Sequence, residues 1–210
     1  MTSTDVAELR QERAQRTRAR ILETAATAFA EHGYDGVSLN EVIRASGLTK
    51  GAFYFHFPSR EALALAVFRH KQEQLLARMS DEMDDRKAPL DRLAEGLRVR
   101  ARLLAEDPSL FVVVRLGIDL SARPAAKAVY AGFMELPVQA LEAMVRDGQE
   151  RGEMRRDLGA RAVAEQIFAG ILGMDQAALL LSGTIDVVER TEHLLAILLG
   201  GLAPRPPTEP

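Results

Sequence analysis

Apolar residues recur at helical spacing along almost the whole of this chain of 210 residues. Between about residues 10 and 32, for example, Ile21, Leu22, Ala25 and Phe29 share one face of a helix, and arginines occupy another. Spacings of three and four residues are typical of amphipathic helices, whereas strands need strict alternation of apolar and polar residues, which this sequence lacks. The sequence therefore predicts an all-α protein with about nine helices.

Glycine, proline and capping residues mark where the helices begin and end. Gly33 and Gly47 each provide a left-handed C-terminal residue, and Pro58 stops the third helix, because the residue before a proline disfavours helical backbone. Ser38 and Thr49 are predicted to cap the second and third helices with their hydroxyl groups. The longer helical patterns that follow cover about residues 59–79, 90–106, 109–121, 124–148, 160–182 and 186–201.

Composition excludes several kinds of functional site. The chain has no cysteine, so we expect no disulfide, thiolate metal site or cysteine nucleophile. Its four histidines are too far apart in sequence for a zinc-binding pair, and neither GxSxG nor a phosphate-binding loop occurs. We therefore expect no metal, no cofactor and no catalytic residue. The charged N-terminal segment and the lack of any apolar run of about 18–20 residues predict a cytoplasmic protein without membrane association.

Net charge alone does not indicate the partner. The formal net charge is −3, but residues 1–60 carry 8 basic against 7 acidic side chains, and the remainder carries 19 against 23. Five arginines lie close together, at positions 10, 13, 16, 18 and 20. Such a run is ordinarily the solvated face of a helix, so it indicates nucleic acid only if a recognition motif lies beside it.

Such a motif occupies residues 38–57. A helix of two turns, a turn that contains Gly47 and a second short helix together form a helix-turn-helix. Val42 and Ile43 are predicted to face inward and fix the crossing angle of the two helices. Phe53 and Phe57 lie one turn apart on the second short helix and are predicted to pack against the first helix of the protein.

The opposite face of the second short helix carries groups suited to DNA. Its start offers free backbone N–H groups for phosphate oxygens, and Lys50 can reach a phosphate or a guanine edge. Gly51 costs up to about 1 kcal/mol relative to alanine inside a helix, but it permits close approach to a flat surface. The predicted DNA-binding residues are Ser38, Thr49, Lys50, Gly51, Ala52, Tyr54, His56, Ser59, Arg60 and Arg18.

Residues 17–68 resemble the N-terminal signature of the TetR-type transcriptional repressors. The matching positions are Thr17, Arg18, Ile21, Ala25, Ala26, Phe29, Gly33, Tyr34, Gly36, Ser38, Ala45, Gly47, Lys50, Gly51, Tyr54, Phe57, Ser59, Arg60, Glu61 and Leu63. The sequence departs from the family at Ile43, where alanine is usual. The resemblance implies a three-helix DNA-binding domain at residues 10–58 and a helical ligand-binding and dimerisation domain at residues 59–203. Residues 1–9 and the proline-rich tail 204–210 are predicted to be disordered.

Within that family, the segment TKGAFYFHF at residues 49–57 is most similar to the γ-butyrolactone autoregulator receptors of actinomycetes. Those receptors stack their ligand on a tryptophan, whereas this chain has no tryptophan and Phe133 falls near that place. The resemblance implies a small apolar inducer, either a butyrolactone-type signal or an antibiotic, bound between helices of the second domain. The residues indicated for this pocket are Phe111, Arg115, Asp119, Phe133, Met144, Phe168 and Met174.

The last two helices are predicted to form a homodimer interface. Residues 194–199 are apolar nearly all round, which means burial on more than one side. Two such helices from each subunit would make an isologous four-helix bundle, and the dimer would place two recognition helices on a pseudo-palindromic operator. The predicted contacts are Val163, Ile167, Ile171, Leu194 and Leu198.

The sequence therefore indicates a repressor whose partners are double-stranded operator DNA, a small-molecule inducer and a second copy of the chain. Two alternatives remain open at this point. One is a DNA-binding regulator that acts constitutively or under the control of a protein partner. The other is a small helical enzyme, for which the sequence offers no catalytic motif.

Overall fold

The structure, a computed structural model, describes residues 3–181 and 186–204. These residues form nine α-helices and a short 3-10 helix at Pro108–Phe111, and no strand occurs among them. The helices are α1 (Ser3–His32), α2 (Leu39–Ser46), α3 (Lys50–His56), α4 (Arg60–Glu82), α5 (Pro89–Glu106), α6 (Val112–Ser121), α7 (Pro124–Glu150), α8 (Ala160–Leu180) and α9 (Val187–Leu202). The predicted all-α architecture is confirmed.

Helix α1 begins earlier than predicted, because it is helical from Ser3 instead of from about residue 10. The segment 1–9, predicted to be disordered, is therefore helical from its third residue. Residues 7–16 are all alanine, leucine, glutamate, glutamine or arginine, which are the strongest helix formers. An ion pair between Glu12 and Arg16, one turn apart at 3.8 Å, adds to this preference. Residues 205–210 of the predicted disordered tail lie outside the described residues.

The helix-turn-helix forms with the predicted caps. Ser38 and Glu41 make a reciprocal capping box at the start of α2, in which each side chain accepts a hydrogen bond from the other residue's backbone N–H. Gly47 ends α2 in the left-handed conformation with φ 68°, where a side chain would be strained. Thr49 Oγ1 accepts the backbone N–H of Ala52 at 3.3 Å and so caps α3. These local signals direct the chain from α2 into α3 at a defined angle.

We call helices α1 to α3, for which the sequence predicts DNA binding, the DNA-reading unit. A single hydrophobic core joins this unit to the second domain, which begins with α4. Phe29 of α1 and Phe53 of α3 are fully buried in a cluster that also contains Phe68 of α4 and Leu116 and Leu120 of α6. The predicted domain boundary between residues 58 and 59 is therefore a change of helix and not a gap between two cores. Any movement of α4 or α6 acts directly on the packing that supports α3.

The remaining helices form two further clusters. The larger one packs α5, α7, α8 and α9 together, and Ile167 and Leu195 are buried at its centre. Among the described residues, only α8 is long and apolar enough, with a mean hydropathy of 1.2, to span a membrane by length and composition. Of that apolar window 28% is buried within the subunit, including Ile167 and the charged residue Asp175.

Candidate functional site

Helix α3 exposes the face that the sequence predicts for DNA. Phe53 and Phe57 hold the opposite face in the first core, where both rings are buried. The exposed residues on and beside this helix are Thr49, Lys50, Gly51, Ala52, Tyr54 and Phe55, whereas His56 is half-buried. One face of α3 is therefore anchored in the core and the opposite face is exposed, which is the arrangement that a helix needs to enter a DNA groove.

Phe55 is a residue of this face that sequence reasoning missed. Its side chain is 82% exposed, and its ring lies nearly perpendicular to the His56 ring, with 5.3 Å between the ring centroids. An apolar ring in this position gains nothing from the protein core. Its signal in the sequence was its place between Tyr54 and His56, the two aromatic residues already assigned to DNA.

Gly51 lies in the first turn of α3, where packing within the subunit does not require a glycine. A Cβ atom built on Gly51 would meet no atom within 4 Å. The absence of a side chain therefore serves no packing need in the isolated subunit. It does leave the backbone of α3 bare at the point where a duplex would approach most closely.

The variant Gly51→Ala is therefore expected to change stability and DNA affinity in opposite directions. Alanine should raise the free energy of unfolding by up to about 1 kcal/mol, because it favours the helix and meets no neighbour. Its methyl group should lower operator affinity on the order of tenfold by keeping α3 away from the groove. Urea unfolding and fluorescence anisotropy measure the two effects, and unchanged operator affinity would contradict this role for Gly51.

The other predicted DNA contacts lie around α3. Ser38 and Ser59 are exposed at the starts of α2 and α4, where their hydroxyl oxygens accept capping hydrogen bonds. Arg18 is exposed on α1, with its guanidinium 5.3 Å from the centroid of the Phe57 ring. These three positions are open to a duplex that lies against α3.

Arg60 is placed differently from its predicted role. Its guanidinium donates to the carbonyl of Val37 at 3.3 Å and lies 4.5 Å from the centroid of the Tyr34 ring. It also lies 3.5 Å from the carboxylate of Asp35. Arg60 therefore holds the loop between α1 and α2, and its predicted phosphate contact would compete with these interactions.

Three groups from the second domain hold the same loop and the end of α1. Arg115 of α6 donates to the carbonyls of Ala30 and Glu31 at 3.0 and 3.3 Å. Asp119 of α6 accepts the backbone N–H of Tyr34 at 2.9 Å. Arg123 stacks on the Tyr34 ring at 3.8 Å from its centroid. We call Arg60, Arg115, Asp119 and Arg123 the loop clamp.

A second junction joins α1 to α4. Lys71 is buried and donates to Glu23 Oε2 at 2.6 Å and to Ser109 Oγ at 3.2 Å, and His70 and Gln74 contact Glu23 Oε1. Burial by itself would raise the pKa of Glu23, but hydrogen bonds from Lys71, Gln74 and His70 together hold that pKa below its ordinary value of 4.5. The DNA-reading unit is thus tied to α4 and to the 3-10 helix by polar contacts as well as by its core.

A cavity of about 560 Å³ lies between α4, α5, α6, α7 and α8. Most of its lining is apolar, and Met144 and Phe168 line it as the sequence predicted. Burial raises the pKa of the lining residue Tyr130 above its ordinary value of 10.0. The polar residues Arg100 and Asp175 also line the cavity, and sequence reasoning missed both of them.

The other five predicted pocket residues lie outside this cavity. Arg115 and Asp119 belong to the loop clamp. Phe133 packs against Phe68 in the first core, with 5.8 Å between the ring centroids. Phe111 packs against the small core formed by α4 and α5, and Met174 accepts a weak hydrogen bond from Thr191 of α9 at 3.8 Å. The sequence predicted that these residues face inward, but it could not predict which neighbour each of them contacts.

The predicted dimer contacts are largely buried within one subunit. Val163, Ile167 and Ile171 point into the core of α5, α7, α8 and α9, and Leu194 and Leu198 pack against it half-buried. The exposed apolar residues of these helices lie on another face and include Leu180 at 75% and Ile197 at 72% exposure. Because both helices are apolar nearly all round, the sequence could not show which face the subunit itself covers.

The described residues contain no group of three or more histidine, cysteine or acidic side chains that could hold a metal ion. Together, an open recognition helix and an apolar cavity joined by a shared core define a helix-turn-helix regulatory protein. Two family profiles match the chain. One, described as bacterial regulatory proteins of the tetR family, matches residues 21–67, and the other, described as YsiA-like protein, C-terminal region, matches residues 68–201. The chain belongs to the TetR family of regulatory proteins.

Individual relatives agree with this assignment. The chain is 23% identical to the fatty acid metabolism regulator protein of Bacillus subtilis, over 87% of this chain and 93% of that protein. It is 29% identical to the A-factor receptor protein of Streptomyces griseus, over 89% of this chain but only 65% of that longer protein. A solved structure described as the molecular basis for control of antibiotic production by bacterial hormones superposes with a TM-score of 0.74 and 30% identity, covering 90% of this chain and 98% of that one.

Proposed function

We propose that this protein is a transcriptional repressor that binds a pseudo-palindromic operator as a homodimer and is released by a small apolar inducer. The observation that carries the proposal is the position of α6, which forms a wall of the cavity on one side and holds the DNA-reading unit on the other. A cytoplasmic regulator without catalytic activity is the corresponding biological role.

Helix α6 divides its residues among three neighbours. Val114 and Ile118 line the cavity. Leu116 is buried in the core shared with α1 and α3. Arg115 and Asp119, one turn apart, belong to the loop clamp. An inducer that displaced α6 would therefore move the clamp and the shared core with it.

The mechanism that follows is a shift between two populations. Operator DNA favours the arrangement in which the two recognition helices of the dimer have the spacing of successive major grooves. The inducer favours an arrangement in which α6 is displaced and that spacing is lost. Because coupling is reciprocal, the operator must weaken inducer binding by the same factor as the inducer weakens operator binding.

The dimer that this mechanism needs has a suitable surface on α8 and α9. Exposed residues follow one face of each helix at spacings of three and four, and from residue 169 of α8 and residue 193 of α9 onward none of them is acidic, lysine or arginine, although the face begins at Glu165 and Glu189. We call this face the uncovered stripe; its members are Ala169, Leu172, Gly173, Gln176 and Leu180 of α8 and His193, Ala196, Ile197 and Gly200 of α9. A second copy of the chain would bury the two stripes against each other as a four-helix bundle.

The names of two relatives support a small-molecule inducer without agreeing on its identity. The Bacillus subtilis relative is named for fatty acid metabolism, and the Streptomyces griseus relative is named for the A-factor. Fatty acids are largely apolar, and the apolar lining of the cavity supports a largely apolar ligand here. A constitutive or protein-controlled regulator would have no need for such a cavity.

The experiment that tests the proposal has two stages. Genomic fragments bound by the purified protein are sequenced to find its operator, which should show two inverted half-sites about one helical turn apart. Fluorescence anisotropy then follows release of that operator by butyrolactones and by antibiotics. Binding without sequence preference would contradict the DNA-reading assignment, and full operator affinity at saturation by a ligand that occupies the cavity would contradict the repressor mechanism.

The variant Arg115→Met/Asp119→Asn is expected to uncouple the two sites. The shared core should keep the DNA-reading unit folded, so operator affinity without inducer should stay within about threefold of wild type. The factor by which the inducer weakens operator binding should fall about tenfold, because coupling energies are typically 1–3 kcal/mol and the clamp is the polar contact that joins α6, a wall of the cavity, to the end of α1 and the loop after it. Anisotropy titrations with and without inducer measure this factor, with the exposed α7 variant Arg146→Met as control. An unchanged factor would show that the clamp does not transmit the signal.

A further inference from the structure

The wall of the cavity contains a tyrosine hydroxyl without a partner in the protein. Tyr130 of α7 lines the cavity half-buried, and its ring contacts the ring of Phe68, with 5.3 Å between the centroids. Its hydroxyl forms no hydrogen bond with any residue that the structure describes. The oxygen is not enclosed, because the enclosed side-chain polar atoms that lack a partner in this part of the chain are Arg92 Nε, Arg123 Nε and Glu153 Oε2. Since a buried tyrosine hydroxyl normally has a partner, this one is available to a bound molecule.

Gly117 of α6 makes room for the hydroxyl. A Cβ atom built on Gly117 would lie 2.8 Å from Tyr130 Oη and 3.4 Å from the ring atoms Cε2 and Cζ. The first distance is too short for a contact between carbon and oxygen, so a larger residue at position 117 would displace the hydroxyl. Gly117 itself lines the cavity. The hydroxyl therefore lies at the cavity wall, against the bare backbone of α6.

Several other polar groups of the lining are already engaged within the protein. Arg100 donates to both carboxylate oxygens of Asp175, which is fully buried and offers a ligand no surface. Gln72 and Ser121 each donate to a backbone carbonyl, at 3.4 and 2.8 Å. A ligand in the cavity would have to compete for each of these groups.

The remaining polar lining residues lie toward solvent or beside carboxylates. The Arg92 guanidinium lies 3.5 Å from the carboxylate of Asp85 and 4.0 Å from that of Asp147, and its Nε is enclosed. Ser80 and Gln176 are exposed. Within the described ranges, the Tyr130 hydroxyl is therefore the accessible polar group of the cavity interior that has no partner in the protein.

We propose that the Tyr130 hydroxyl binds the inducer by donating a hydrogen bond to a carbonyl oxygen on an otherwise apolar molecule, and that Gly117 fixes the position of this hydroxyl. Burial raises the pKa of this phenol above its ordinary value of 10.0, so it carries its proton at neutral pH. A ketone, ester or lactone accepts that proton's hydrogen bond and brings no donor that needs a partner of its own. This inference rests on the proposed function, because it names the ligand class and the recognising group of the same cavity.

Butyrophenone and butylbenzene provide the test, because they have the same carbon skeleton and differ in one carbonyl group. Calorimetry measures the Kd of each for the whole chain without DNA, and the shift in Tm is a second readout. Since the ketone also loses hydration on binding, the ratio of the two Kd values is compared between wild type and Tyr130→Phe. Loss of the hydroxyl should weaken binding of butyrophenone about fivefold and leave that of butylbenzene within about twofold. An unchanged ratio, or no binding of butyrophenone to wild type, would overturn the proposal.

A second variant tests the position of the hydroxyl. The methyl group of Gly117→Ala should displace it and weaken binding of butyrophenone about fivefold. In Tyr130→Phe the same methyl group meets only ring carbons at 3.4 Å, so there it should weaken binding no further. Tyr34→Phe is the matched control, because it removes a hydroxyl that does not line the cavity, and it should change neither affinity. Additive effects of Gly117→Ala and Tyr130→Phe would overturn the role of Gly117.

Failure of the ligand inference can be distinguished from failure of the proposed function. Operator affinity of the same preparations without ligand reports only the DNA-reading unit and the dimer. An unchanged ratio in Tyr130→Phe with intact operator binding would contradict the role of the hydroxyl alone. The expected change of ratio in a protein that binds no operator would contradict the repressor and leave Tyr130 as the recognising group of the cavity.

Discussion

Replacing Lys50 and Tyr54 together by alanine is expected to lower operator affinity on the order of 100-fold. Both side chains lie on the exposed face of α3, and neither supports the core, where Phe53 and Phe57 anchor the helix. A good contact to a base edge is worth about 1–3 kcal/mol, so two lost contacts reach this magnitude. The free energy of unfolding and the helix content should stay close to those of wild type.

The measurement is anisotropy of a labelled operator duplex at several salt concentrations, with circular dichroism and light scattering on the same samples. Loss of a phosphate contact by Lys50 should also reduce the salt dependence of log affinity by about one unit of slope. Lys87→Ala, in the connection between α4 and α5, provides a control that removes one lysine outside α3. Sequence-specific binding retained by the double variant would refute the assignment of α3.

Introducing charge into the uncovered stripe should have the second large effect. The variant Leu180→Glu/Ile197→Glu places carboxylates at two strongly exposed apolar positions of α8 and α9. In a two-fold bundle each carboxylate would be desolvated close to its symmetry mate, so the subunits should separate into monomers of 23.1 kDa. Operator affinity should then fall by about 10²–10⁴-fold, because the two half-sites lose their linkage.

Light scattering and sedimentation measure the mass directly, and anisotropy measures the loss of operator affinity. Val129→Glu on α7 is the control, because it introduces a carboxylate at an exposed apolar position on another helix, and each single variant of the stripe matches it in charge. The monomeric variant should keep its helix content, since neither changed residue contributes to the core of its own subunit. A dimer that survives both substitutions would show that the interface lies elsewhere.

Much of the recognition unit could be predicted from sequence because its determinants are local. The cap of α2 depends on Ser38 and Glu41, three residues apart, and the end of α2 depends on the backbone of Gly47 alone. The burial of Phe53 follows from its position one turn before Phe57. Each of these outcomes depends on neighbours within a few residues, so no knowledge of the tertiary arrangement was needed.

The second domain could be predicted only in outline because its contacts join residues far apart in sequence. Arg115 and Asp119 were assigned to a pocket, but they meet the end of α1 and Tyr34, about 85 positions earlier. The sequence could not predict the ion pair between Arg100 and Asp175, because these residues are 75 positions apart. Helical spacing shows that a residue lies on an apolar face, but tertiary packing decides which neighbour covers that face.

On α6, the residues that line the cavity differ from those that contact the DNA-reading unit, and this has a consequence for how the protein can evolve. Val114 and Ile118 are among the α6 residues that line the cavity, whereas Arg115 and Asp119 contact the DNA-reading unit. Under the proposed function, a substitution at either cavity position would therefore change which inducer fits and would leave the contacts between α6 and the DNA-reading unit unchanged. New responses could evolve, or be engineered into a biosensor, by changing one face of a single helix of ten residues.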